Sequence, residues 1–246
     1  VLLLLPPSET KRDGGADGSS LDLAALQFPS LTAPRRRALA GLRAISRSIA
    51  ASTTALGLGP TQRFEIDRNR TIGSSPTMPA IERYTGVLYD AVGVGTLARP
   101  ARRFLGEHAV VHSALFGLTG ADDPIPAYRF SHDSRVPGTS LPKLWREANA
   151  AVLRDQTQLV LDLRSEAYVH LGPAAAGSLF LRVVTDDGGG TKRALNHFNK
   201  HGKGELVRAL ALAGIDFAAV DDLLDWARGA GLRLERGAPG ELDLVV

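Results

Sequence analysis

Three stretches of this chain carry polar residues that packing alone does not demand. In HSALFGLTGADDPIPAYRF, His112 to Phe130, a strand-like run over Ser113 to Leu118 meets Asp122, Asp123, Pro124 and Pro126 before Tyr128 and Arg129. In LDLRSEAY the apolar run Leu159 to Leu163, broken only by Asp162, delivers Arg164, Ser165, Glu166 and Tyr168. Polar groups placed by a loop at the end of a buried strand usually face a ligand in α/β proteins. In NHFNKHGKGELVRAL, Asn196 to Leu210, Gly202 and Gly204 bracket Lys203 just before a helical pattern. Glycines at a helix start let backbone N–H groups approach an anion, and the helix dipole would add to Lys200 and Lys203, so phosphate contact is expected there. The same spacing resembles the hairpin of helix-hairpin-helix modules, which hold the DNA backbone without reading sequence; the competing reading has Gly202 merely end one element and start another.

Other chemistries are weaker. His108 and His112, and His197 and His201, are each four apart, which puts two imidazoles on one face of a helix or strand. The first pair lies in a β-like run and the second beside lysines that repel a cation, so no metal is expected. Ser8 and Ser113 lack a G-x-S-x-G context, which argues against a serine hydrolase. With 0 cysteines there is no disulfide framework, thiolate metal site or cysteine nucleophile. No bound cofactor is expected.

These residues need a scaffold, and 246 residues at 44% hydrophobic and 22% charged suffice for a full core. Val1 to Leu5 is apolar without alternation, as in a strand buried on both faces. Further strands are expected over His108 to Leu118, Leu159 to Leu163 and Leu179 to Thr185. Helical spacing covers Leu141 to Arg154, Gly204 to Leu212 and Asp221 to Arg228. Pro34 opens another helix, in which Leu39, Leu42, Ile45 and Ile49 recur and Arg36, Arg43 and Arg47 form a solvated edge. LRLERGAPGELDLVV reads as a hairpin turning at GAPG. The fold expected is α/β, a mixed, mostly parallel central sheet flanked by helices, with residues 1–246 as one domain. In such a sheet the loops after Leu5, Leu118 and Leu163 converge, bringing Ser8, Glu9, Lys11, Arg129, Arg164 and Glu166 together. The competing reading makes these surface ion pairs, each worth at most about 1 kcal/mol.

The net charge of +3 is too small to imply nucleic-acid binding by itself. Lysine is scarce, however: Lys11, Lys143, Lys192, Lys200 and Lys203 are all there are. The opening VLLLL is too short for a signal-peptide core, and no run reaches the roughly 18 apolar residues of a membrane span, so a cytoplasmic location is expected.

LPPSETK, YTGVLYDAV from Tyr84 to Val92, HSALFGL and IPAYR, the Leu144–Trp145 pair, LDLRSEAY and NKHGKGELVR occur together and in order. In this the chain resembles the YaaA-type peroxide stress protein family. The resemblance implies a mixed α/β fold with a positively charged cleft, a helix-hairpin-helix-like element, and association with hydrogen peroxide, limiting intracellular iron and DNA. Pro7, Ser8 and Lys11 fall in the opening block, where many relatives read S-P-A-K-T. Tyr84, Gly86 and Tyr89 fall in the second; Ser113, Gly117, Pro126, Tyr128 and Arg129 in the third, where LTGADDP replaces the usual L-R-P-L-D. Ser165, Glu166 and Tyr168, then Lys200, Lys203, Gly204 and Arg208, complete the match. Lacking cysteine and holding 1 methionine, the chain cannot scavenge peroxide through a thiolate, so protection would be indirect. The leading expectation is nucleic-acid binding, most simply DNA, through Ser8, Lys11, Arg129, Arg164, Lys200, Lys203, Gly204 and Arg208, with Tyr84, Tyr89 or Tyr128 stacking on bases. The alternative is an enzyme acting on a nucleotide or other phosphorylated small molecule, with Glu166 as general acid or base and Lys11, Arg129 and Arg164 on the phosphate.

Overall fold

Leu2–Leu5 forms the strand that everything else surrounds, and all four side chains are buried, as its unbroken apolar run requires. The structure, a computed structural model, describes residues 1–186, 192–194 and 199–246, with the side chains of 186 and 192–194 left aside. The strands are β1 (Leu2–Leu5), β2 (Met78–Pro79), β3 (Ala109–Ser113), β4 (Gly117–Gly120), β5 (Pro124–Ile125), β6 (Val160–Asp162), β7 (Leu179–Asp186), β8 (Lys192–Ala194), β9 (Arg233–Arg236) and β10 (Glu241–Val245). The helices are α1 (Thr32–Ser46), α2 (Ile49–Leu56), α3 (Phe64–Arg70), α4 (Ala80–Arg83), α5 (Val87–Val92), α6 (Arg99–His108), α7 (Leu141–Arg154), α8 (Glu166–Val169), α9 (Asn199–Ala213) and α10 (Val220–Gly229).

The main sheet runs β4-β3-β1-β6-β7-β10-β9, with β8 pairing to the far end of β7. The five inner strands from β3 to β10 are mutually parallel, while β4, β8 and β9 attach antiparallel. The fold is therefore the expected mixed, mostly parallel sheet flanked by helices. The chain leaves β1 for β3 on one side and later returns to β6 on the other. That reversal opens a crevice beyond the carboxyl ends of β1 and β6, where open α/β sheets bind ligands.

Two expectations fail locally. The run His108 to Leu118 is not one strand: His108 ends α6, and β3 and β4 form a hairpin around Ala114–Phe116. Ser113 Oγ accepts hydrogen bonds from the backbone N–H groups of Leu115 and Phe116, and Gly117 takes a φ of 67°, so the turn is made inside an apolar sequence that gives no polar signal. His108 and His112 consequently sit on different elements. Likewise Ile49 belongs to α2 and is exposed, because the chain breaks at Arg47 and Ser48 caps a new helix through the N–H of Ala51. Among the described residues no helix is long and apolar enough to cross a membrane.

Candidate functional site

The crevice holds a cavity of about 550 Å³, within the size range of small-ligand sites. Pro6–Glu9 after β1, Phe130–His132, Leu163–Tyr168 after β6, the middle of β7 and the first turn of α9 all line it. Of the residues expected to converge, Ser8, Glu9, Arg164 and Glu166 meet in this lining while Lys11 and Arg129 do not, and α9 adds Lys200 and Lys203. Glu166 and Lys200 are exposed, and Glu166 lies 3.6 Å from the Arg182 guanidinium.

Lys203 is the buried lysine of this lining, 4% exposed. Its Nζ donates to the carbonyls of Leu163 (3.0 Å) and Arg164 (3.4 Å) and lies 5.3 Å from the centre of the Phe180 ring. Burial pushes its pKa down to about 8, against the pull of Asp162.

Arg164 is spent inside the protein. Its Nε and Nη2 form a fork onto the Asp162 carboxylate at 2.8 and 2.6 Å, and Nη1 donates to the Gly172 carbonyl and to His112 Nδ1, both at 2.8 Å. Nothing of its side chain is exposed. Burial and the adjacent guanidinium hold the His112 imidazole well below its usual pKa, so it is neutral, with Nδ1 as acceptor.

Lys11 sits outside the cavity lining, behind the wall that Ser8 and Glu9 provide. Its Nζ donates to the carbonyls of Ser8 (2.9 Å) and Glu9 (3.1 Å) and lies 4.2 Å from the centre of the Tyr128 ring. Burial lowers its pKa to about 7, with Glu65 and Glu9 opposing. Tyr128 Oη is 2.7 Å from both Ser113 Oγ and Tyr84 Oη, while Tyr89 donates to the Pro6 carbonyl at 2.7 Å. Burial raises the pKa values of all three tyrosines, that of Tyr128 to about 12. Their rings are packed in the core, so in this conformation none is presented for a base to stack on. Arg129 pairs with Glu9 at 2.7 Å, and its buried Nε has no hydrogen-bond partner among the described residues.

The family model described as Peroxide stress protein YaaA matches residues 1–237. The chain belongs to the YaaA peroxide stress protein family. It is 42% identical to a UPF0246 protein of Corynebacterium glutamicum over 96% of this chain and 95% of the relative, and 41% identical to one of Corynebacterium efficiens over the full length of both. A UPF0246 protein of Streptomyces coelicolor is 35% identical over 98% of this chain and 94% of the relative.

In this YaaA-family chain the basic block is divided. Gly202 and Gly204 do not open a helix; they lie inside α9 with Lys203 between them. A Cβ on Gly204 would stand 2.3 Å from the Leu88 carbonyl oxygen, so the glycine exists to let α9 approach α5. Arg208 points away from the cavity and donates to the carbonyls of Val92 (2.8 Å) and Gly93 (3.3 Å), closing the carboxyl end of α5. The helix-hairpin-helix reading falls partly on residues 196–198, outside the described residues, as does His197 of the second histidine pair. Among the described residues no cluster of three or more histidine, cysteine or acidic side chains is arranged for a metal.

Sequence reasoning passed over Arg182 and His132, which line the cavity, and Glu65, Arg35 and Arg83, buried polar residues outside it. For Arg182 a signal existed, since Phe180 and Arg182 share one face of β7 by strand alternation. Arg35 and Arg83 gave none, because only the folded chain brings carbonyls such as those of Phe116, Leu118 and Ile125 to their guanidinium groups.

The two buried lysines predict a pH dependence. In the unfolded chain each keeps its proton up to about 10.5, whereas in the fold Lys11 loses it near 7 and Lys203 near 8. The unfolded state therefore holds more protons between these values, and stability rises with pH there, by up to about 1.4 kcal/mol per pH unit for each lysine. Thermal unfolding should show Tm climbing from pH 7 to about 9.5, before ionising tyrosines in the unfolded chain reverse it. Lys11→Met should remove most of the slope near pH 7 and about half of it above pH 8, where that from Lys203 remains. A flat profile in the parent protein would contradict the burial assigned to both amines.

Proposed function

We propose that the protein acts in the cytoplasmic response to peroxide by binding DNA at the cavity between β1, β6 and α9, taking one unpaired nucleotide into it. The observation that carries this reading is the composition of the lining. Ser8, Lys200, Lys203 and the first turn of α9 supply donors for a phosphate, and Tyr168, Phe180 and His132 supply rings beside them. A cavity of about 550 Å³ has room for a nucleotide unit and not for a duplex, which favours open or distorted DNA. Membership in a peroxide stress family supports the physiological setting. With 0 cysteines and 1 methionine, protection is indirect, by occupancy of DNA and not by consuming the oxidant. Lys11, Arg129, Arg164 and Arg208 shape the site through carbonyls and carboxylates and do not themselves hold phosphate.

The second reading, an enzyme acting on a nucleotide or other phosphorylated small molecule, draws on the exposed Glu166 carboxylate in the same lining. Fluorescence anisotropy against duplex, single-stranded and bubble-containing DNA across a salt series separates the two. Binding should favour open DNA and weaken steeply with salt, and Lys200→Glu should weaken it for every sequence and lower the salt slope by about 1. Absence of binding at low salt, with one nucleotide class raising Tm, would replace the DNA reading with the enzyme.

A further inference from the structure

Lys203 is placed differently from every other lysine whose side chain is described. Lys143 and Lys200 are exposed, and Lys11 is shut behind the cavity wall against the face of Tyr128. Lys203 alone of these is both buried and part of the cavity surface. Its Nζ has two fixed acceptors, the carbonyls of Leu163 and Arg164, and among the described residues no carboxylate within ion-pair distance. An amine nitrogen has four tetrahedral positions, one taken by its own carbon and two by hydrogens donated to those carbonyls. The fourth, a third hydrogen in the ammonium and the lone pair in the neutral amine, has no partner among the described residues, and the side chain that carries it lines the cavity. The two carbonyls thus hold the nitrogen in one orientation, as a positioned nucleophile requires.

We propose that Lys203 captures an aldehyde carried by a sugar phosphate, forming a covalent imine inside the cavity. The proposal rests on the reading of this cavity as a nucleotide-sized phosphate site and names the reactive group that it takes. The Nζ lone pair attacks the aldehyde carbon, forming the N–C bond as the C=O pair moves onto oxygen. A proton passes from nitrogen to that oxygen. A second proton, from the Glu166 carboxyl, the His132 imidazole or water, lets the oxygen depart as water while the nitrogen pair closes the C=N bond. The product is a protonated imine, with no change of oxidation state. Glu166 and His132 line the same cavity, and Lys200, exposed in the first turn of α9, would meet the sugar's phosphate. A lysine whose burial brings its pKa to about 8 leaves a usable share of neutral amine near neutrality.

Such an aldehyde comes from two sources, a free sugar phosphate or the open-chain sugar of an abasic site in DNA, and the test carries both. The full chain is incubated with deoxyribose 5-phosphate or with an oligonucleotide containing one abasic site, then reduced with borohydride, which converts the imine to a stable secondary amine. Peptide mapping by mass spectrometry of the parent protein should place the adduct on Lys203 in at least one arm, and Lys203→Gln, checked by its melting curve, should abolish it while Lys11→Met retains it. No adduct in either arm, or an adduct only on Lys11 or Lys200, overturns the proposal. DNA anisotropy on the same samples keeps the two ideas apart. Binding without trapping removes imine chemistry and leaves the DNA reading; an adduct with the free sugar phosphate and no DNA binding supports the capture site and removes the DNA reading.

Discussion

Replacing Arg164 with leucine should cost about 3–5 kcal/mol, because it strands the Asp162 carboxylate, itself 3% exposed, in the interior of the sheet. Domains of this kind have only about 5–15 kcal/mol to lose, so the variant should be poorly soluble and unfold at a much lower denaturant concentration. Arg164→Lys should not rescue it, since an ammonium cannot span both carboxylate oxygens and also reach the Gly172 carbonyl and His112. The double variant Asp162→Leu with Arg164→Leu should recover much of the loss, because it removes the stranded charge together with its partner. A double variant no better than Arg164→Leu would show that the contacts to Gly172 and His112, not the ion pair, carry the effect.

The two glycines of α9 make opposite predictions. Helix propensity alone favours alanine over glycine by about 1 kcal/mol at both positions. At Gly202 a Cβ would meet Val246 Cγ1 at 3.3 Å, the tip of an exposed side chain that can yield, so Gly202→Ala should be neutral or stabilising. At Gly204 it would meet the Leu88 carbonyl oxygen at 2.3 Å and the Ala91 Cβ at 2.7 Å. Backbone cannot step aside as a side chain can, and overpacking costs about 1–3 kcal/mol or more, so Gly204→Ala should lower Tm despite its better propensity. Equal shifts at the two positions would refute the close approach of α9 to α5.

That contrast also marks where the sequence was readable. Continuous apolar runs gave β1, β6 and β7, and helical spacing gave Leu141–Arg154 with both ends as observed. The meeting of Ser8, Glu9, Arg164 and Glu166 followed from the parallel sheet, since strand ends on one edge must share a crevice, whereas Lys11 and Arg129, expected with them, stand outside the lining, and the arrival of Lys200 and Lys203 on α9 was not part of that expectation. What the sequence withheld was the destination of each donor. A GKG triplet looks the same whether its glycines cradle a phosphate or admit a neighbouring helix. Arg164 and Arg208 look like free cations until the Asp162 carboxylate and the Val92 carbonyl stand in front of them. Such partners are fixed by contacts between residues far apart in the chain, and local pattern holds no record of them.

The hydrogen bonds of Lys11 reach further than its own position. Its ammonium draws two successive carbonyls, of Ser8 and Glu9, toward one point. In a trans peptide the N–H lies opposite the C=O, and no cis bond occurs among the described residues, so the amides of Glu9 and Thr10 are turned away from the lysine. A lysine sealed within the protein thereby orients two peptide dipoles along the segment that edges the cavity, and its influence arrives there as aligned backbone polarity instead of as a charge.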